Sequence, residues 1–147
     1  MEALTITKPE WESLLLEMGE PAYRAAQVLD WLFRRRERDW SKMLNLPASL
    51  REKLAAKFST HRLEKVRETG SKDTTRKFLF RLPDGQMIES VLIPASPALY
   101  GDASDRRTIC ISSQVGCAYG CKFCASGLEG WKRNLTAAEI VDQFLQV

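Results

Sequence analysis

Thr108-Ile109-Cys110-Ile111-Ser112-Ser113-Gln114-Val115-Gly116-Cys117-Ala118-Tyr119-Gly120-Cys121-Lys122-Phe123-Cys124 is the stretch on which the reading of this chain turns. Its first half, from Arg107 to Ser113, has the β-branched, apolar composition of a strand. A Gly- and Cys-rich loop then runs from Gln114 to Gly130. Beyond it, Thr136-Ala137-Ala138-Glu139 is a capping box, and Ile140, Val141, Phe144 and Leu145 follow at helical spacing. Strand, cysteine loop and helix in succession open a βα-repeat fold, and one such unit cannot close a sheet. The sequence therefore reads as the N-terminal piece of a longer protein.

Upstream, Thr75 to Leu82 and Gln86 to Pro94 are alternating or apolar runs joined by Pro83-Asp84-Gly85, which predicts a β-hairpin. Pro94 to Asp105 is rich in Pro, Ala, Ser, Gly and Asp and reads as a loop. The start of the chain is helical. Thr7-Lys8-Pro9-Glu10 is a capping-box pattern, with Trp11, Leu14, Leu15 and Met18 at helical spacing and Gly19 as the stop. Pro21 restarts a helix carrying Tyr23, Ala26, Val28, Leu29, Leu32 and Phe33. Pro47 opens a third, with Leu50, Leu54 and Phe58 on one face. Trp11, Trp31 and Trp40 are the expected aromatic core of this part. The expected division is 1–68 helical, 69–95 hairpin, and 96–147 the strand, cysteine loop and helix. The fold class is α+β.

The composition, with 44% hydrophobic residues among 147 and a net charge of +3, excludes a disordered chain. No apolar run reaches the roughly 18 residues that a membrane-crossing helix needs, and no secretory signal opens the chain. All four cysteines, Cys110, Cys117, Cys121 and Cys124, lie in one short window. Without an export signal, that clustering favours a metal or redox site in a reducing, cytoplasmic setting over a disulfide framework.

Cys117, Cys121 and Cys124 form a C-x3-C-x2-C run on a loop that Gly116 and Gly120 allow to fold tightly. Three thiolates this close suit an iron–sulfur cluster with one iron left open for a ligand. Zinc remains the alternative, although it prefers four ligands in paired spacings. His61, the single histidine, reads as a surface residue.

C-x3-C-x-aromatic-C, with Phe123 as the aromatic, resembles the signature of the radical S-adenosylmethionine (SAM) superfamily. Cys110-Ile-Ser-Ser-Gln-Val-Gly-Cys117 and Trp131-Lys-Arg-Asn-Leu-Thr-Ala-Ala-Glu-Ile140 narrow the resemblance to the RlmN/Cfr family of RNA adenosine methyltransferases, nearer its C2-methylating branch than its C8-methylating one. Ile88-Glu-Ser-Val-Leu-Ile-Pro94, the Arg76-Lys-Phe-Leu-Phe80 strand and the helical N-terminal part fit the same family. The resemblance implies a partial (βα) TIM-like barrel beginning with the cysteine loop. It implies a 4Fe-4S cluster on Cys117, Cys121 and Cys124 that binds SAM, and a low-potential electron donor. The implied substrate is an adenosine of 23S rRNA, with tRNA as a second substrate. Methyl transfer would pass through a methyl-cysteine that this chain does not contain. Glu89 matches the base that removes a proton from the substituted ring carbon. Cys110 matches the thiol that resolves the protein–RNA adduct through a transient disulfide.

The residues themselves support those two roles only in part. Glu89 shares a strand face with Met87, Val91 and Ile93, and a carboxylate buried there would be costly without a purpose. On the residues alone, an edge-strand gatekeeper, or an ion pair with Arg76 or Lys77 across the hairpin, is the favoured explanation. Cys110 between Ile109 and Ile111 also reads as a buried packing residue. Positive charge concentrates in Arg34-Arg-Arg-Glu-Arg38 and from Arg51 to Arg67, which suits phosphate contacts or a solvated helix face. Lys132 and Arg133 face either RNA or solvent. A cluster-bearing RNA-binding module without catalysis is the reading from another class.

Overall fold

The computed structural model describes residues 1–60, 63–70, 75–95 and 106–147. The reading of His61 and most of the loop expected from Pro94 to Asp105 lie outside the described residues. The chain forms two compact units, Met1–His61 and Arg62–Val147.

The first unit is helical. In α1 (Lys8–Glu17) the Glu10 carboxylate accepts from the Thr7 amide at 2.7 Å and the Thr7 hydroxyl at 2.6 Å. That satisfies a donor that the helix start leaves orphaned. The helix ends as a Schellman motif at Gly19: the Glu20 amide donates to the Leu15 carbonyl at 2.8 Å and the Gly19 amide to the Leu16 carbonyl at 3.0 Å. The second helix, α2 (Arg24–Leu29), runs into a π-helical turn over Asp30–Arg34. The third is α3 (Ala48–Lys57). Trp11 packs on Phe58 with ring centroids 4.9 Å apart and edge-on to Trp40 at 6.4 Å, and the Trp40 indole donates to the Phe58 carbonyl at 3.0 Å.

Two expectations are corrected here. Trp31 is not a core residue: its indole donates to Asn45, and the Arg35 guanidinium lies 4.2 Å from its ring. The second helix buries Ala25, Val28 and Leu32, while Tyr23 and Phe33 are exposed. Tyr23 stands just ahead of α2, and the switch to π-helical winding at Asp30 breaks the 3.6-residue spacing for the residues that follow, Phe33 among them.

The second unit is an antiparallel sheet with one helix. β1 (Glu64–Gly70), β2 (Arg76–Arg81), β3 (Met87–Pro94) and β4 (Arg107–Cys110) lie in that order across the sheet. β5 (Gln114–Gly116) and β6 (Trp131–Asn134) form a separate two-stranded ribbon. α4 (Ala137–Gln146) starts with a complete capping box: the Thr136 amide donates to Glu139 at 2.8 Å and the Glu139 amide to the Thr136 hydroxyl at 3.2 Å. Phe78, Phe80 and Ile88 bury the inner sheet face with Leu63, Leu82, Val115 and Leu135.

The hairpin and the last helix stand where the residues place them. β1 does not follow the helical reading of the segment up to residue 68: Glu64–Gly70 is a strand, paired antiparallel with β2 and bulged between Lys65 and Arg67. The cysteine loop is likewise not a plain loop, since β5 and β6 pair across its base. Every strand pair among the described residues is antiparallel. These residues are therefore α+β, without the parallel pairing of a barrel.

Candidate functional site

Register places the side chains of interest. Glu89 pairs with Leu79 of β2, and Val91 pairs with both Lys77 and Cys110. Paired residues and residues two apart share a face. Glu89, Val91, Lys77, Leu79 and Cys110 therefore all point to the outer face of the sheet, opposite the core. Of the sequence readings of Glu89, the buried carboxylate is corrected here and the ion pair with Lys77 stands. Its neighbours Met87 and Ile93 are exposed, and the carboxylate is not desolvated. It sits 2.9 Å from the Lys77 ammonium, with the two side chains 52% and 51% exposed. The cross-hairpin ion pair is real, and the core lies behind Ile88 and Ser90 instead. Cys110 is also exposed and ends its strand, so it is no packing residue.

Two cavities meet at Glu89. One of about 240 Å³ is lined by Arg67, Thr69, Lys77, Leu79 and Glu89. The other, of about 500 Å³, runs from Leu79, Met87 and Glu89 past Ser112 and Gln114 to Gly116, Ala125, Ser126 and Glu129. Its far wall flanks the cysteine loop on both sides.

That loop is framed by backbone. Gly116 has φ 71°, and a Cβ there would meet the Gly130 carbonyl oxygen at 1.9 Å. Only glycine lets the two ends of the loop approach this closely. The Gln114 side chain bridges the ends, donating to Asn134 at 2.9 Å and accepting from the Ala118 amide at 3.4 Å. Cys117, Cys121 and Cys124 are partly exposed free thiols. Tyr119 and Phe123 beside them are 90% and 93% exposed. Among the described residues no three histidine, cysteine or acidic side chains converge as a metal site. The donor set nevertheless suits an iron–sulfur cluster: three unbridged thiols on one loop held at its base by the β5–β6 ribbon.

The residues also build two arrangements that the sequence reading missed. Arg133 is tied into the fold by two carboxylates. Its guanidinium donates bidentately to the buried Glu139 at 2.9 Å and singly to Asp84 in the hairpin turn at 2.7 Å. The guanidinium holds both carboxyls below their usual range, and they in turn push the Arg133 pKa up. The second arrangement is a buried polar network of Ser90, Ser112 and Gln143. A polar residue at an inward position was one signal, since Ser90 stands between Ile88 and Leu92; α4 gave none, because Glu139 and Asp142 are buried on it with Gln143.

The comparisons with known proteins follow the same lines. Residues 1–59 match the family described as "Ribosomal RNA large subunit methyltransferase N-terminal domain". A solved radical SAM methyltransferase from Sphaerobacter thermophilus is similar to 99% of the chain, with a TM-score of 0.85 and 44% identity, over 41% of its own length. The chain thus shares the fold of part of that enzyme. A probable dual-specificity RNA methyltransferase RlmN of Akkermansia muciniphila is 51% identical over 139 residues, which are 95% of this chain and 39% of the relative. One from Desulfitobacterium hafniense is 40% identical over 147 residues, all of this chain and 40% of the relative. The chain belongs to the RlmN family, and it spans about two-fifths of the length of these curated relatives.

Proposed function

We propose that this chain supplies the cluster loop, the base and the resolving thiol of a radical SAM RNA methyltransferase. Its reaction is methylation of C2 of an adenosine in 23S rRNA, and of an adenosine in tRNA, through a methyl-cysteine contributed from outside this chain. The observation that carries the reading is the register that sets Glu89 and Cys110 on one open face, beside a cavity that reaches the cysteine loop. The names of the relatives support an RNA substrate.

Cys117, Cys121 and Cys124 would hold a 4Fe-4S cluster, with the remaining iron open to SAM. When bound and reduced by a low-potential donor, the cluster supplies the one-electron chemistry that makes a methyl carbon reactive toward an adenine ring carbon. Glu89 takes the proton from the substituted ring carbon; its half-exposed carboxylate, paired with Lys77, is open to a base entering the cavity. Cys110 attacks the sulfur that carries the adduct. Its S–S bond forms as the C–S bond to the methylene breaks; the electron pair leaves with the carbon, which takes up a proton to become the methyl group. An exposed strand-end thiol is open to that approach. No helix of the described residues is long and apolar enough to cross a membrane, and the reduced thiols suit a cytoplasmic setting. The start of a partial (βα) barrel is the architecture that this reading assigns to 96–147.

Anaerobic reconstitution with iron and sulfide tests the cluster. Sulfide-dependent absorbance, an EPR signal that changes on adding SAM, and loss of both in Cys117→Ala are expected. Stoichiometric zinc without sulfide uptake would sink the reading.

A further inference from the structure

Gln143 lies on α4, outside any role assigned so far, and is completely buried together with Ser90. Its Oε1 accepts from the Ser90 hydroxyl at 2.9 Å and from the Ser112 amide at 2.9 Å. Its Nε2 donates to the Ser112 carbonyl at 2.9 Å and to the Glu139 carbonyl at 3.3 Å. The orientation of this amide is fixed by chemistry, since a backbone N–H only donates and a carbonyl only accepts. The Ser112 hydroxyl completes the chain by donating to the Glu89 carbonyl at 2.8 Å.

These bonds join two segments. Ser90 is the residue after Glu89 on β3, and Ser112 is two residues after Cys110, just past the end of β4. The β3–β4 register runs from Pro94↔Arg107 to Val91↔Cys110. Beyond it, the side chains of Gln143 and Ser112 hold the two strands together where the ladder stops. A buried amide that meets four partners is rigid, because any displacement strands donors and acceptors away from water.

We propose that Gln143 is a positioning residue: through Ser90 and Ser112 it sets the separation and aim of Glu89 and Cys110 on the opposite face of the sheet. The inference rests on the proposed roles of those two residues. Proton removal and adduct resolution act on one substrate in succession, so both groups need a fixed spacing, and a displacement of about 1 Å costs on the order of 10²-fold.

The test uses a chimera in which this chain replaces the matching 139 residues of the Akkermansia muciniphila relative, with the active, unsubstituted chimera as reference. The readouts are the ratio of covalent protein–RNA adduct to released methylated RNA, the KM for RNA, and the alkylation rate of Cys110 in the cluster-free protein. Gln143→Met is expected to raise the adduct-to-product ratio roughly 10- to 100-fold, with KM unchanged and Cys110 alkylation altered. Gln143→Glu keeps the acceptor but sets an oxygen against the Ser112 and Glu139 carbonyls, and is expected to raise the ratio as well. Ser112→Ala removes only the bond to the Glu89 carbonyl and gives a smaller rise in the same direction. It carries the test if Gln143→Met does not fold. A variant ratio equal to the reference, with turnover falling only as the folded fraction falls, overturns the inference. If Cys110→Ala itself traps no adduct, the reading of Cys110 fails instead.

Discussion

Ser90 and Glu89 are neighbours on one strand and face opposite worlds. Ser90 is fully buried and bonded to Gln143 at 2.9 Å. Glu89 is half exposed, with Lys77 at 2.9 Å across the hairpin. The inner face gains its stability from closure, since each polar group there must have its partner or cost more than it returns. The outer face gives up that closure, and its carboxylate and thiol stay open to a reactant. Placement is thus set on one side of the sheet and used on the other.

The largest effect expected on stability comes from opening the inner face. Phe80 is completely buried against its β2 neighbour Phe78, whose ring lies parallel to it with centroids 6.2 Å apart. Phe80→Ala removes the ring and leaves a cavity, and should lower unfolding stability by roughly 3–5 kcal/mol. The shift of a urea midpoint at constant slope measures it. A loss below about 1 kcal/mol would mean that the sheet and helix do not share one core.

Next in size is the rim, where Arg133 ties the hairpin turn to the start of α4. Arg133→Met leaves the 6% exposed Glu139 carboxylate without its bidentate partner and should cost roughly 2–4 kcal/mol near neutral pH. The pH dependence has a definite sign. Glu139 and Asp84 are held below their ordinary range by Arg133. Their contribution is complete above about pH 4.5, near the ordinary carboxylate value, and is lost as the pH falls through the lowered values. The stability gap between parent and variant should therefore be widest at neutral pH and shrink in acid. Denaturant midpoints measured from pH 7 down to pH 3 check this, and a gap that widens in acid would reverse the assignment.

Both capping boxes, the Gly19 stop and the Pro83-Asp84-Gly85 hairpin are legible because each is local chemistry: a side chain meets a backbone group a few residues away. β1 is not legible. Glu64-Lys65-Val66-Arg67-Glu68-Thr69-Gly70 is almost wholly exposed and has no alternating apolar pattern. It is a strand because β2 offers it a free edge, and that is tertiary information. The face of Glu89 is illegible for a different reason. Met87, Val91 and Ile93 make one side of β3 apolar, while Ile88 and Leu92 make the other apolar as well. A period of two finds the faces, but only the position of α4 decides which is covered. The cysteine spacing was plain from the sequence. The ribbon that closes the loop was not, because β5 and β6 hold only three and four residues.

The smallest effect on stability should come from the residue with the largest proposed role, which makes it the sharpest test of the difference between the faces. The Glu89–Lys77 pair is half exposed on both sides, and such pairs are worth about 0–1 kcal/mol. Glu89→Gln keeps the shape and removes the charge, so the urea midpoint should move by less than the equivalent of about 0.5 kcal/mol. If Glu89 is the base, RNA methylation in the same variant should fall by roughly 10²- to 10⁴-fold, while cluster content stays at the parent level. Lys77→Met separates the ion pair from the base: it removes the same surface pair while leaving the carboxylate in place. Its methylation should exceed that of Glu89→Gln by an order of magnitude or more. Equal losses in the two variants would mean that the pair acts as structure and that the outer face is no different in kind from the inner one.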